Sequence, residues 1–191
     1  MRRLLLTESI TADGRIEMID EWFDPSVEGH IQPWLDAVDR QGASSDAIVV
    51  GRQTFEDFRG YWPEHTDEPT GAYLDEVQKH VVSSSMTDPQ WRNSTVLSGD
   101  PVDEVRRLKD EDGGDLVLAG SITLTHALLA EGLVDEIRLL VYPAVQGRGK
   151  GLVGEGTSFP DLELLESTSF RSGVALLRYA VITPPVSTSG P

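Results

Sequence analysis

Three short segments place small and polar side chains directly after an apolar run, the arrangement that cradles a phosphate. Gly51-Arg52-Gln53-Thr54-Phe55 follows Ala47-Ile48-Val49-Val50 and opens a helical stretch. Its backbone N–H groups then face outward at a helix start. Gly51 lets the backbone come close, Arg52 supplies a forked cation suited to a phosphate, and Thr54 supplies a hydroxyl. Val81-Val82 empties into Ser83-Ser84-Ser85, and Leu116 to Ala119 passes through Gly120 into Ser121-Ile122-Thr123. Taken singly, each is as well explained by a turn with a solvent-facing polar residue. Their coincidence at one sheet edge is the signal, because ligands of open α/β sheets bind at the carboxyl ends of the strands.

The elements that would position these segments read as alternating strands and helices. Strands are expected at Arg3–Thr7, Ala47–Val50, His80–Ser83, Thr95–Leu97, Asp115–Ala119 and Glu136–Tyr142. One helix is expected from Pro101 to about Glu111, with Asp100 as N-cap, Val102, Val105 and Leu108 on one face, and an Asp103–Arg107 pair. A second follows Gly120 with Leu124, Leu128 and Leu129 inward and stops at Gly132, and a third lies around Gln32 to Arg40. Leu162–Phe170 and Val174–Ile182, joined at Arg171-Ser172-Gly173, form a hairpin. The sheet is therefore parallel in its body and antiparallel at its C-terminal edge. Met18–Gly29 and Trp62–Gly71 read as loops. Residues 1–183 form one expected domain and residues 184–191 a flexible tail.

The ordered set Asp13-Gly14, Gly51 to Phe55, Trp62-Pro63, Val82-Ser83-Ser84, Ala119-Gly120-Ser121, Gly132 to Glu136 and Pro143 to Lys150 resembles the dihydrofolate-reductase-like superfamily. It is most similar to the bacterial branch that includes the reductase domain of riboflavin biosynthesis. The resemblance runs from Arg2 to about Ile182 and implies an α/β, three-layer fold with helices on both sheet faces. It also implies NADPH held across the sheet edge. Gly51, Arg52 and Thr54 would meet the adenosine phosphates, Ser83 and Ser84 the adenine ribose, and Gly120, Ser121, Ile122 and Thr123 the pyrophosphate and nicotinamide side. Glu8 to Ile10, Ser9 among them, and Ile16 would line the nicotinamide.

Reduction of an imine or carbonyl needs a proton near the hydride acceptor. The resemblance offers two carboxylates for it: Asp13, beside the substrate in riboflavin-type relatives, ahead of Asp36, near the acid of dihydrofolate reductases proper. The plain readings are a turn aspartate for Asp13 and solvated helix surface for Asp36. Trp22, Phe23 and Trp62 are candidate substrate-binding rings, being apolar side chains in loop or rim settings, and Trp34 is a further candidate, as a pocket wall or as core.

Composition narrows the remaining classes. With 32 acidic and 16 basic residues, the net charge of −16 disfavours nucleic acid and anionic membranes. No cysteine is present, which excludes disulfides and thiolate chemistry, and the four histidines are scattered without metal-ligand spacing. Gly147-Arg148-Gly149-Lys150-Gly151 lacks the Gly-Lys-Ser/Thr that a phosphate-binding Walker loop needs. The opening Leu4-Leu5-Leu6 run ends at Thr7-Glu8, too short for a signal peptide, so a cytoplasmic protein is expected. The favoured reading is an NADPH-dependent reductase of a small heterocyclic, imine or carbonyl substrate, pterin- or pyrimidine-like, acting as a homodimer. The alternative is a non-catalytic nucleotide- or pteridine-binding protein on the same fold.

Overall fold

The structure, a computed structural model, describes residues 1–20, 22, 35, 43–154 and 161–182. Among the described residues, eight strands make one sheet in the order β4-β3-β2-β5-β1-β6-β8-β7. These are β1 (Leu4–Thr11), β2 (Ser45–Gly51), β3 (Gln78–Val82), β4 (Ser94–Leu97), β5 (Asp115–Ala119), β6 (Glu136–Tyr142), β7 (Asp161–Ser169) and β8 (Ala175–Ile182). The first six pair in parallel, whereas β8 runs antiparallel to both β6 and β7. This is the expected mixed α/β sheet. Gly173 turns the hairpin at φ +85°, where a side chain would be strained.

Helices cover both faces, so each central strand is apolar on both sides. The helices are α1 (Arg52–Tyr61), α2 (Pro69–Glu76), α3 (Pro101–Asp110) and α4 (Ile122–Ala130). One core joins Leu4, Leu6, Val49 and Leu118 to Val105 and Leu108 of α3 and Leu124, Leu128 and Leu129 of α4. The opposite core packs Ile48, Val50, Val81 and Val117 against Phe55 of α1 and Leu74 of α2. Asp100 caps α3 as expected, its carboxylate accepting from the N–H groups of Val102 and Asp103.

Three expectations are corrected. Asp103 pairs with Arg106, three residues on, while Arg107 bridges Glu104 and Glu111 at 2.6 and 3.2 Å. The segment read as a loop after Trp62 contains a 3₁₀ turn over Trp62–Glu64 and the start of α2. Its Pro-Thr-Gly opening hid the helix, although Pro69 sits where a helix tolerates proline. The first strand continues to Thr11, four residues past its expected end. Of the helix expected around Gln32–Arg40 residue 35 alone is described, as helical, and the tail at 184–191 lies outside the described residues.

Register defines the working edge. β1 pairs with β5 only from Leu4↔Leu116 to Thr7↔Ala119, but with β6 as far as Thr11↔Tyr142. Beyond Thr7 a notch therefore opens between β1 and β5, at the carboxyl ends of both strands.

Candidate active site

Two helices begin at the edge of this notch with no side chain capping them. α1 starts after Gly51 and α4 after Ser121, and neither N-cap residue makes a side-chain cap hydrogen bond. Their first-turn N–H groups are left for a ligand, and an anion is the natural one. The two starts are tied together: Gly51 N–H donates to Ser121 Oγ at 2.5 Å, and Ser121 Oγ lies 3.0 Å from Thr54 Oγ1. Gly120 and Ser121 both take left-handed backbone, at φ +59° and +64°. For Ser121 that costs ~1 kcal/mol, offset by these hydrogen bonds and by Thr125 N–H donating to its carbonyl at 2.9 Å. The approach explains the glycines: a Cβ on Gly51 would stand 3.0 Å from Ser121 Oγ, and one on Gly120 would stand 3.0 Å from Thr54 Cγ2.

A cleft of about 500 Å³ lies over these starts, lined by Gly51–Thr54, Ser121–Leu124, Val82, Pro101, Ala127 and Lys150. Arg52, half exposed, reaches Ser85 Oγ at 3.3 Å and Glu56 at 3.9 Å. Arg52 and Lys150 put positive charge at a cleft in a strongly acidic chain. A second cavity of about 230 Å³ adjoins, lined by Thr7, Glu8, Ser9, Ile16, Met18, Ile48, Phe58, Tyr73, Leu74, Val117, Ala119 and Gly120. Thr54 lines both. A cleft bearing two helix starts, Arg52 and Lys150 thus adjoins, across Thr54, a chamber walled by Ile16, Ile48, Phe58 and Leu74, an arrangement able to hold a phosphorylated ligand at one end and a flat ring at the other.

The structure brings together Gly51, Arg52, Thr54, Ser121, Ile122 and Thr123 in the larger cleft, with Ser9, Ile16 and Gly120 in the smaller. Ser83 and Ser84 line neither. Ser83 is buried and its Oγ accepts from the N–H groups of Ser85 and Met86, shaping the turn, while Ser84 faces solvent. The serine that meets Arg52 is Ser85. Trp22 and Trp62 also line neither cavity: Trp22 Nε1 donates to Gln146 at 3.0 Å with its ring against Tyr142, and Trp62 packs on the Phe55 core. Asp36, Phe23 and Trp34 lie outside the described residues.

Asp13 holds a turn. Its carboxylate accepts from Thr11 Oγ1 at 2.6 Å, Gln146 N–H at 3.1 Å and Gly147 N–H at 2.7 Å. The Thr11 hydroxyl and those two N–H groups hold it down to about 2. A group that acidic carries no proton near neutrality, which fits a clamp on the 143–150 loop better than a proton donor.

The resemblance placed Glu8 in the lining of the nicotinamide site, with no chemistry assigned to its carboxyl. Glu8 is 7% exposed, and burial pushes its carboxyl up to about 8. Glu136, 2% exposed, shows the contrast: burial alone would raise it, yet hydrogen bonds from Arg178 and Arg138 bring it below its ordinary value. No cation pairs with Glu8 among the described residues.

A parallel sheet with helices on both faces, an antiparallel C-terminal hairpin and a cavity at the β1/β5 notch make a dihydrofolate-reductase-like fold. The model of the RibD C-terminal domain matches residues 2–176, and the chain belongs to that family. Two Bacillus subtilis (strain 168) proteins, YyaP and YwjB, both uncharacterized, are 29% and 25% identical over 93% and 92% of this chain, covering 94% and 96% of their own. Among solved structures, a Shewanella sp. PV-4 protein assigned to riboflavin biosynthesis superposes with a TM-score of 0.71 at 20% identity, covering 95% of this chain and 99% of its own. A pyrimidine reductase-like protein of Corynebacterium diphtheriae gives 0.64 at 15% identity over 96% and 93%. The diaminohydroxyphosphoribosylaminopyrimidine deaminase/5-amino-6-(5-phosphoribosylamino)uracil reductase of Thermotoga maritima gives 0.65 at 13% over 95% of this chain and 57% of that one. No helix among the described residues is long and apolar enough to cross a membrane.

Proposed function

We propose that the chain is an NADPH-dependent reductase of a small heterocyclic, pyrimidine- or pterin-like substrate, with imine or carbonyl reduction as its chemistry. The observation that carries the reading is the pair of uncapped helix starts, locked to each other through Ser121, that open onto one cleft with Arg52 at its mouth. The residues fit a dinucleotide phosphate: first-turn N–H groups and hydroxyls on two sides, cations on a third, and backbone approach secured by glycine. When bound, NADPH supplies the hydride.

The chain's own residues bind and orient. Gly51–Thr54 and Ser121–Thr123 hold the pyrophosphate, and Arg52 selects the phosphorylated ribose by a forked, charge-assisted contact that NADH cannot return. Thr54 sits where the two cavities meet and positions the junction of ring and ribose. Ser9, Ile16 and Met18 wall the ring, and Ile48, Phe58 and Leu74 exclude water from the substrate beside it. Asp13 acts on this site by holding the loop that carries Lys150. Family membership and the likeness to reductase folds support the assignment.

Titration of NADPH and NADH, followed by tryptophan fluorescence, tests it. NADPH is expected to bind at least tenfold more tightly, since a charge-assisted hydrogen bond contributes roughly 1.5–3 kcal/mol. Failure of both to bind removes the reading. A homodimer is proposed as well, formed through the C-terminal strands, where Leu162, Leu164, Leu165 and Ile182 are exposed. A monomeric native mass rejects it.

A further inference from the structure

Glu8 occupies a position where a leucine would be simpler. It shares one face of β1 with Leu4, Leu6 and Ile10, all buried, and that face is turned toward α4. Among the described residues its one polar contact is Thr125 of α4, itself fully buried. Thr125 Oγ1 stands 3.4 Å from Glu8 Oε1 and 3.1 Å from the carbonyl of Gly120. A hydroxyl has one proton to give, and a carbonyl only accepts. Thr125 has that one proton for two acceptors, so a carboxylate at Glu8 would have at most one long hydrogen bond, 3.4 Å, to hold its charge. Geometry and burial agree on an uncharged Glu8.

Among the described residues, the charged groups around it are committed elsewhere. On α4, His126 Nε2 meets the Gly151 carbonyl at 2.9 Å. β6 opposes Glu8 with Leu139, while Glu136 and Arg138 are joined in ion pairs that include Arg178. β5 brings Ala119 and the Gly120 turn, and Lys150 lines the larger cleft. Yet Glu8 is part of the lining of the smaller cavity, at the notch between β1 and β5, beside Gly120. If the dinucleotide reading above holds, this is where the nicotinamide ring lies, neutral when reduced and cationic when oxidised.

We propose that Glu8 is a redox-selecting residue of the cofactor site, a neutral acid beside the reduced dinucleotide and a carboxylate beside the oxidised one. Binding of NADP⁺ then breaks the Glu8 O–H bond and sends its proton to bulk water, whereas binding of NADPH does not. Nothing is oxidised or reduced in this binding step. A negative charge in a poorly screened interior stabilises the oxidised ring and is absent when the reduced one is held. The inference rests on the dinucleotide reading and adds a function for a residue outside the phosphate cradle.

Calorimetric titration of NADP⁺ and of NADPH into the full chain, in two buffers of different ionisation enthalpy, counts the protons released. With wild-type protein at pH 7, NADP⁺ is expected to release close to one proton more per site than NADPH. The Kd ratio of NADP⁺ to NADPH should fall about tenfold between pH 7 and 9. Taking the ratio cancels titration of the ribose phosphate, which both ligands share. Glu8→Gln, which keeps the shape and the donor, should abolish both differences while still binding both dinucleotides. Equal proton counts for the two ligands in the wild type, or the same difference retained in Glu8→Gln, overturns the proposal and leaves the cofactor reading standing. Failure of the wild type to bind either dinucleotide overturns both. Should Glu8→Gln not fold, infrared difference spectra of the wild type decide. A protonated-carboxyl band lost with NADP⁺ and kept with NADPH supports the proposal, and one kept with both overturns it.

Discussion

Replacing Glu8 by Gln should alter stability in a way that depends on pH, and the size follows from the site. In the unfolded chain the carboxyl titrates near its ordinary value of 4.5, and in the folded protein burial holds it up to about 8. Between these values unfolding releases a proton. The stabilising contribution of Glu8 is therefore complete below 4.5 and is lost as pH rises through 8. At roughly 1.4 kcal/mol per decade this interval amounts to at most ~5 kcal/mol, and relaxation of the interior around a new charge reduces it to about 3 kcal/mol. That is a large fraction of a typical domain's total of roughly 5–15 kcal/mol. Urea unfolding of both proteins at pH 5 and pH 9 measures it. The stability of Glu8→Gln relative to wild type should rise by about 3 kcal/mol between the two pH values. Lys79, which burial lowers to about 8, titrates in both proteins and cancels from the difference. A difference constant within about 0.5 kcal/mol would refute the claim that Glu8 is neutral in the fold.

Other substitutions separate the parts of the site. Arg52→Ala should weaken NADPH binding about 10- to 100-fold and leave NADH unchanged, as read by fluorescence titration; equal losses would mean Arg52 does not meet the extra phosphate. Ser121→Ala removes the acceptor of Gly51 N–H while leaving a left-handed non-glycine residue, so NADPH binding should weaken about tenfold or more. Ser121→Gly, which suits that backbone, should fold more stably than Ser121→Ala, and melting temperatures check the order. Asp13→Ala should speed amide exchange in residues 144–149 while keeping measurable NADPH binding. The contribution of Asp13 is present above the ordinary carboxylate range and is lost as pH falls through about 2, so wild-type loop protection should persist throughout the neutral range.

Much of the fold was legible because a parallel sheet covered on both faces must be written as short apolar runs. Ala47–Val50 and Leu116–Ala119 announce themselves, and so do the glycines that follow them. The cleft was legible for the same reason, since Gly51-Arg52 and Gly120-Ser121 mark where strands end. Features set by partners distant in sequence were hidden. Thr7-Glu8-Ser9 reads as a polar end to a strand, and the elements that cover Glu8, β6 and α4 with Thr125, come more than a hundred residues later. Ser84 and Ser85 are equivalent in one dimension, and the turn stapled by Ser83 decides which one meets Arg52. α2 was missed because Pro-Thr-Gly-Ala carries little amphipathic pattern; its burial comes from a wall that Tyr73 and Leu74 share with the smaller cavity.

A crystal structure of the protein grown with NADPH tests the central claim most directly. The pyrophosphate is expected against Gly51–Thr54 and Ser121–Thr123, the ribose phosphate on Arg52, and the nicotinamide in the notch between β1 and β5 beside Thr54. A dinucleotide bound away from these residues, or a notch filled by the protein's own side chains with NADPH excluded, would contradict it.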